Sequence, residues 1–180
     1  RLRRKDGRYL WLEWHATSAA DKSIVFASAR DISERIATEA ELRLAARAFE
    51  SHEGMAITDA QGVILRVNQA FVETTGYTAE EAVGQTPRIL KSGRHDAEFY
   101  RQMWKKIAQT GEWQGEIWDR RKNGEIFPKW LTITAVKDSA GLVTHYIGTH
   151  FDITARKRAE EKIQELAFFD QLTGLPNRTL

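Results

Sequence analysis

The chain has 180 residues, of which 42% are hydrophobic and 29% are charged, and its formal net charge is +2. This balance is typical of a globular domain, and no apolar run approaches the roughly 20 residues that a membrane-spanning helix needs. The chain contains no cysteine, which excludes disulfides, thiolate metal sites and cysteine nucleophiles.

The excess positive charge lies in short basic runs at 1–5, 120–122 and 156–158. Two runs border an Asp-Gly or Asn-Gly turn and the third lies on a predicted helix rich in glutamate, so we interpret them as solvated surface. We therefore expect no nucleic-acid contact and no membrane contact by this segment. We expect a cytoplasmic location and a first residue inside a longer protein, because the N-terminus has neither an initiator methionine nor an apolar leader. The sequence leaves open whether the whole protein is anchored to a membrane.

The first 35 residues are predicted to form β-strands, and a helix is predicted to follow them. Aromatic and β-branched residues flank an Asp6-Gly7 turn, which is typical of a two-residue type I′ hairpin, and a second turn near 19–22 precedes a strand at 24–29. A connecting helix is predicted at 36–50, and its most regular part is at 41–50.

The next segment alternates short strands and helices, with strands predicted at 54–59 and 63–67. Asn68 predicts the start of a short helix, and Thr78 with Glu81 forms a capping box for the next one. A longer helix is predicted from about 96 to 109, before Gly111. Its apolar face consists of residues at helical spacing, namely Phe99, Tyr100, Met103, Trp104 and Ile107.

An internal repeat relates the start of the chain to its last third. RRKDGRYLWLEWHAT (3–17) matches RRKNGEIFPKWLTIT (120–134), and ARDISER (29–35) matches HFDITAR (150–156). In the second copy, an Asn123-Gly124 turn, also typical of a two-residue type I′ hairpin, and a strand at 142–151 complete a three-stranded antiparallel meander. The sequence therefore predicts the C-terminal strands of one module at 1–35 and a complete module at 44–155.

The order of elements indicates an α+β fold, a five-stranded antiparallel sheet with helices on one face. The succession ITDxxGxIxxVNxAFxxxTGY, TxEExxGxxPxIL, GxWxGExWxRRKxGE and YIGxxxDIT resembles the PAS family. The resemblance implies a PAS fold with flanking signalling helices, and a sensory function.

After this module, residues 155–169 predict a charged signalling helix. Ala159, Ile163, Leu166 and Phe169 form a narrow stripe suited to a two-helix seam, or to a helix that folds back on its own domain. The final segment, 168–180, resembles the DxLTGLxNR start of GGDEF domains, the diguanylate cyclase family. This resemblance implies a GGDEF output domain in cis, and it leaves open whether an EAL domain follows.

No catalytic site is predicted for this segment. We find no nucleophile beside a base and no converging carboxylates. The five histidines lack the H-x-x-x-H and HExxH spacings, so no protein-built metal site is expected either. The metal-binding GGDEF loop does not occur in this sequence, so enzymatic activity is expected only of the parent protein, as a diguanylate cyclase or cyclic-di-GMP phosphodiesterase.

The strand at 112–120 predicts one wall of a ligand pocket. Because side chains alternate along a strand, Trp113, Ile117 and Asp119 share one face, which we interpret as the core face. A carboxylate at the edge of an apolar face requires a partner, either a ligand or a lysine or arginine on a neighbouring strand.

PAS sensors that hold flavin, such as those governing nitrogen fixation and aerotaxis, resemble this sequence at Trp104 and His150. Asp119 stands where those sensors have an amide, just before the RRK segment. The resemblance implies a flavin such as FAD bound near Trp104, Asp119 and His150, and it predicts that Asp119→Asn favours flavin retention. Core packing is the alternative interpretation of Trp104.

Two other cofactor classes rank lower. Light-sensing PAS domains use a cysteine to attack flavin, and this chain has none. Haem PAS domains use an axial histidine on the long helix, for which only His95 is available, so haem ranks below FAD. A pocket without any ligand is the third alternative.

Together these observations predict a sensory module that responds to a small ligand or redox state and regulates a GGDEF output through a helical linker. We expect a homodimer formed through the PAS domain and its helices. Asp152 and Arg156 are expected to link the end of the sheet to the signalling helix. The alternative function is a ligand-free dimerisation spacer.

Overall fold

The computed structural model describes residues 1–3, 5–19 and 24–168. The chain divides into two compact units, Arg1–Phe49 and a second unit that begins at Glu50. Within the described ranges, no helix combines the length and apolar character that crossing a membrane requires. The predicted GGDEF segment at 168–180 lies outside the described residues, apart from Phe168.

The first unit consists of two hairpins and a helix. Strands β1 (Leu2–Arg3) and β2 (Tyr9–Leu10) pair antiparallel, as do β3 (Leu12–Ala19) and β4 (Ile24–Asp31), and α1 (Ser33–Phe49) follows. The predicted strand at 24–29 is confirmed and continues for two more residues. Most of the turn predicted near 19–22 falls outside the described residues.

Helix α1 begins earlier than the predicted residue 36. The Oδ1 atom of Asp31 accepts a hydrogen bond from Ser33 N at 2.9 Å, and Ile32 N donates to Trp11 O at 2.9 Å. These bonds fix the chain as it leaves β4, so the helix starts at Ser33. The prediction from apolar spacing missed this start because the first turns of α1 are mostly polar.

Up to residue 168, where the described part of the second unit ends, there are ten elements. They are β5 (Gly54–Asp59), β6 (Ile64–Val67), α2 (Gln69–Thr75), α3 (Ala79–Ala82), a 3₁₀ turn (Pro87–Leu90), α4 (Ala97–Thr110), β7 (Glu112–Arg120), β8 (Ile126–Lys137), β9 (Val143–Asp152) and α5 (Thr154–Phe168). The five strands form one antiparallel sheet in the order β6-β5-β9-β8-β7. This confirms the predicted α+β fold, and α2 and α4 pack against the sheet.

The predicted helix starts are confirmed by their caps. Asn68 Oδ1 accepts hydrogen bonds from Phe71 N at 2.9 Å and from Met55 N at 2.8 Å, so this buried amide joins the start of α2 to β5. Thr78 and Glu81 form the reciprocal capping box at α3. Local side-chain hydrogen bonds therefore set the short helices, whose lengths are too small for stability on their own.

The hairpin between β7 and β8 has a three-residue loop. Arg121 N donates to Glu125 O, and Gly124 N donates to Arg121 O, both at 2.9 Å. Gly124 has φ 93°, the left-handed conformation that closes such a loop. The two-residue type I′ turn predicted from Asn-Gly is therefore wrong at this hairpin. The chain turns at Lys122 and Asn123, one residue earlier than predicted, and the Asn123 side chain accepts a hydrogen bond from Glu125 N.

The end of the second unit repeats the local geometry of the first. Ile153 N donates to Pro128 O at 3.1 Å, and Asp152 Oδ1 accepts from Thr154 N at 2.7 Å. The matching atoms of the first unit make the same two bonds where β4 meets α1. The internal repeat thus corresponds to a repeated junction between the last strand and the following helix.

Candidate functional site

A cavity of about 720 Å³ lies between the sheet, α4 and the 3₁₀ turn of the second unit. Its apolar lining comes from side chains of the sheet and of the helices that cover it, and includes Phe71, Leu90, Met103, Ile117, Leu131 and Ile133. A volume of this size is within the range of small-molecule binding sites. Of the sequence-predicted site residues, Trp104, Ile117, Asp119 and His150 line the cavity.

Asp119 and Lys129 form a buried ion pair in the cavity wall. Their Oδ2 and Nζ atoms are 2.7 Å apart, and the side chains are 7% and 4% exposed. Lys129 is the cross-strand partner of Ile117 in the β7–β8 register, which places it diagonally to Asp119 on the same face of the sheet. The partner that Asp119 requires is therefore a lysine on the neighbouring strand, and the pair adds no net charge to the cavity.

His150 is a buried imidazole on β9. Its Nε2 atom has no hydrogen-bond partner within the described structure, and its ring contacts the edge of Phe71 with centroids 5.7 Å apart. Burial, together with the positive charges of Lys129 and Arg121, lowers the pKa of His150 well below its usual 6.5. The side chain is therefore neutral at physiological pH, and its buried Nε2 atom lies against Gly54.

Tyr100, on α4, adds a second unpartnered polar atom. Its buried hydroxyl makes no hydrogen bond among the described residues, and the Lys91 ammonium lies 4.0 Å from its ring centroid. Burial, and secondarily the negative charge of Asp119, raises the pKa of the Tyr100 hydroxyl. The phenol is thus a neutral group whose buried hydroxyl has no partner among the described residues.

The two predicted tryptophans occupy different positions. Trp104 lines the cavity but is 43% exposed, and it meets Tyr146 edge to face at a centroid distance of 5.3 Å. It is therefore not a core residue. Trp113 lies outside the cavity lining, because it stands near the start of β7, where its ring covers Gly115 and contacts Phe99.

His95, the candidate haem ligand, precedes α4 and does not line the cavity. Its Nε2 atom accepts a hydrogen bond from Trp118 N at 2.9 Å, and its ring stacks on Phe99 at 4.0 Å. These contacts hold His95 against the outer edge strand of the sheet. The structure thus gives no support to iron coordination by His95.

Asp152 and Arg156 do not form the expected link to each other. Asp152 Oδ2 accepts a hydrogen bond from Arg121, whereas Arg156 pairs with Glu160 one turn further along α5 at 3.5 Å. Burial opposes ionisation of Asp152, but hydrogen bonds from Thr154 and Arg121 outweigh it and lower its pKa. Asp152 therefore bonds the start of α5 through Thr154 N and the β7–β8 hairpin through Arg121, and Arg156 takes no part.

Arg121 also reaches two other parts of the domain. It donates to the carbonyl oxygen of Thr74 at the end of α2 and pairs with Glu125 at 3.1 Å in the β7–β8 hairpin. Its guanidinium lies 3.8 Å from the ring centroid of the buried Phe127. A second ion pair, Lys157 to Glu116 at 2.9 Å, holds α5 to β7.

Sequence reasoning missed Lys129 and Arg121 and used Tyr100 only as an apolar residue. The position of Lys129 could have been inferred from the sequence. It lies two residues from both Phe127 and Leu131 along β8, so it shares the inward face of the strand with them. A lysine at an inward position between apolar residues needs a buried anion, which here is Asp119.

A PAS domain family model matches residues 52–155. The nitrogen fixation regulatory protein of Klebsiella oxytoca is 30% identical over 110 residues, which are 61% of this chain and 22% of that protein. The cyclic di-GMP phosphodiesterase PdeR of Escherichia coli is 27% identical over 166 residues, which are 92% of this chain and 23% of that protein. Both alignments thus cover less than a quarter of the relative.

Among solved structures, the PAS domain of a protein from Colwellia psychrerythraea is 26% identical, with a TM-score of 0.61. The match covers 64% of this chain and 99% of that domain. The fold, the element order and the family match agree over the same part of the second unit. This chain therefore belongs to the PAS domain family.

Proposed function

We propose that this chain is a sensory PAS module that binds a flavin such as FAD in the cavity of its second unit and regulates a GGDEF output through α5. The observation that carries the proposal is a cavity of about 720 Å³ whose lining includes Trp104, Asp119 and His150, the positions compared above with flavin-holding PAS sensors. A cavity of this volume, lined mostly by apolar side chains with a few polar ones, is typical of small-molecule binding sites.

Flavin is the favoured ligand because both residues of the flavin resemblance, Trp104 and His150, line the cavity. Haem would require another axial ligand, since Nε2 of His95 is occupied. An aromatic ring at the mouth, as at Trp104, adds roughly 0.5–1.5 kcal/mol to a stacked ligand beyond burial.

Absorbance spectra of the freshly purified protein test the ligand. A flavin spectrum is expected, and Trp104→Ala should reduce flavin content, whereas Trp113→Ala, outside the cavity, should leave it unchanged. Protein that stays colourless after reconstitution with FAD would favour the alternative function, a ligand-free dimerisation spacer.

The proposed output rests on two observations. Residues 170–178 resemble the start of a GGDEF domain, and the cyclic di-GMP phosphodiesterase relative aligns with 92% of this chain. Helix α5 is the physical route, because Lys157 pairs with Glu116 of β7 and Thr154 N donates to Asp152 of β9, and both strands belong to the sheet that lines the cavity. The segment itself should make no cyclic-di-GMP from GTP, since phosphoryl transfer needs the carboxylates of the absent metal-binding loop.

We further propose a tandem arrangement, with residues 1–35 as the end of a first PAS domain, and a homodimer. The repeated strand-to-helix junction supports the first statement. The second is supported by the exposure of apolar side chains on both helices, at Leu42 (66%), Leu44 (70%) and Ile163 (65%). Light scattering should give a dimer, and a strict monomer at high protein concentration would contradict it.

A further inference from the structure

The two strand-to-helix junctions of the chain differ by one hydrogen bond. In the first unit, the carbonyl oxygen of Trp11 accepts from Ile32 N, and the N–H of Trp11 donates to Ser33 Oγ, each at 2.9 Å. Asp31 Oδ1 accepts from Ser33 N, so three such bonds hold the start of α1 among the described residues. Both backbone groups of one residue are thus used to fix this helix start.

The second junction lacks one of these donors. The internal repeat places Pro128 where the first unit has Trp11, and Thr154 where it has Ser33. The carbonyl oxygen of Pro128 accepts from Ile153 N at 3.1 Å, which repeats the bond of the first unit. A proline has no backbone N–H, so the bond to the helix hydroxyl cannot form. The buried Thr154 Oγ1 accordingly accepts no hydrogen bond among the described residues.

The direction of the Pro128 backbone supports this comparison. Trp118, its partner in the β7–β8 register, turns its own backbone groups away from β8. The N–H of Trp118 donates to His95 Nε2 at 2.9 Å, and its carbonyl oxygen accepts from Ser92 Oγ. Opposite residues of an antiparallel pair either bond to each other or both point away, so the backbone of Pro128 faces the junction. An N–H at position 128 would therefore point to the helix start.

The hydroxyl of Thr154 is able to accept such a bond. Its hydrogen bond to Asp152 helps to lower the pKa of that carboxyl, which uses the hydroxyl proton. A hydroxyl also has two acceptor lone pairs. The first junction uses this accepting capacity at Ser33, and the second leaves it unused. Because a buried acceptor without a donor costs free energy, the start of α5 is held less firmly than the start of α1.

We propose that Pro128 is a positioning residue that keeps the start of α5 easy to release. By withholding one backbone donor, it gives α5 a weaker attachment than α1 has, within the same local geometry. The proposal rests on the proposed function in one respect, namely that α5 carries the output. A signal from the second unit then moves α5 at this junction, while the start of α1 stays bonded.

Hydrogen exchange of the Ile153 and Thr154 amides measures how often the junction opens, because both amides donate hydrogen bonds there. Pro128→Ala supplies the missing N–H. We expect exchange of both amides to slow by about 2- to 10-fold, the range for one net hydrogen bond. Loss of packing by the proline ring would speed exchange, so a slower rate identifies the new bond.

Thr154→Val is the matched control, because it keeps the branched shape and removes the accepting oxygen. In the Pro128→Ala background, Thr154→Val should abolish the slowing. Comparing the effect of Thr154→Val with and without Pro128→Ala isolates the bond between the two positions. Trp11→Pro makes the reverse change in the first unit, and it should speed exchange of the Ile32 and Ser33 amides more than Trp11→Ala does.

The outcomes decide the proposal without any ligand. If Thr154→Val has the same effect with and without Pro128→Ala, no bond forms between the two positions and the proposal is wrong. Should Pro128→Ala fail to fold, the first unit decides, since equal exchange in Trp11→Pro and Trp11→Ala would overturn the comparison of the junctions.

Repeating the exchange measurement with FAD separates the signalling role from the proposed flavin site. FAD should change exchange of the Ile153 and Thr154 amides in the parent, and by less in Pro128→Ala. If FAD binds to the parent and leaves this exchange unchanged, the signalling role of Pro128 is wrong and the flavin site stands. If FAD does not bind, the flavin site is wrong, and the exchange rates of the ligand-free variants still support or overturn the weaker junction.

Discussion

Lys129 lies directly opposite Asp152 in the β8–β9 register, yet its ammonium pairs with Asp119 on the other neighbouring strand. Arg121 takes Asp152 instead. The two carboxylates are thus divided between an inner cation that faces the cavity and an outer cation that holds the start of α5. The cavity wall and the helix junction are therefore adjacent on β8. Lys129 pairs with Asp119 in the wall, and the preceding residue, Pro128, accepts the hydrogen bond from Ile153 N at the junction.

The helix junction should depend on Asp152 and not on Arg156. Asp152→Ala removes the partner of the partly buried Arg121 and the acceptor for Thr154 N, so we expect a loss of about 1–3 kcal/mol in the free energy of unfolding. Arg156→Ala removes an exposed pair within α5 and should cost no more than about 0.5 kcal/mol. Urea denaturation of both variants measures the difference, and equal losses would contradict the role of Asp152.

Two glycines of the sheet should respond differently to alanine. A Cβ at Gly54 would overlap the buried ring of His150, whereas one at Gly148 would meet only Ala56 O at 3.9 Å and a Leu131 methyl at 4.0 Å. We expect Gly54→Ala to destabilise the domain by about 1–3 kcal/mol, and Gly148→Ala to change stability by less than about 0.5 kcal/mol. Thermal unfolding of the two variants tests this, and a tolerated Gly54→Ala would argue against the position of His150.

His150 should make stability depend on pH. Because its pKa in the folded state lies well below 6.5, the unfolded chain takes up a proton that the folded chain does not as the pH falls below about 6.5. The contribution of neutral His150 to the free energy of unfolding is fully present above that pH. It decreases below that pH by up to about 1.4 kcal/mol per pH unit. Lys129 and Arg121 are the charges that oppose its protonation.

The measurement is the free energy of unfolding from about pH 7.5 to about pH 5, for the parent and for His150→Gln. The other four histidines are present in both proteins, so the difference between the curves belongs to His150. Parallel curves would show that His150 is protonated as easily in the folded state as in the unfolded one.

Asp119→Asn should destabilise the domain, while the expectation that it favours flavin retention stays a prediction. The substitution leaves the buried Lys129 charge without a counterion, at an expected cost of about 3–5 kcal/mol. Asp119→Leu/Lys129→Met removes both charges and should stay within about 1 kcal/mol of the parent, or exceed it. Urea denaturation distinguishes these outcomes, and a single variant as stable as the parent would mean that the pair is not buried.

Local chemistry made much of the fold predictable from the sequence. The capping side chains of Asn68 and Thr78 bond to backbone N–H groups three residues later in the chain. A short sequence motif is therefore enough to predict these helix starts. Alternation along β7 likewise placed Ile117 and Asp119 on the inner face, where both line the cavity. Turn length at Gly124 was missed, because an Asn-Gly pair is compatible with two- and three-residue loops.

Partner choice among the charged residues was decided only by the tertiary structure. Asp119, Asp152, Lys129 and Arg121 all stood in the sequence, but which cation meets which anion depends on strand register and on the reach of long side chains. The register brings Lys129 between two carboxylates. Arg121 extends over Phe127 and binds Asp152, and Lys129 pairs with Asp119 in the cavity wall. Such contacts join residues far apart in the chain, so short sequence patterns predict that a partner is needed but cannot identify it.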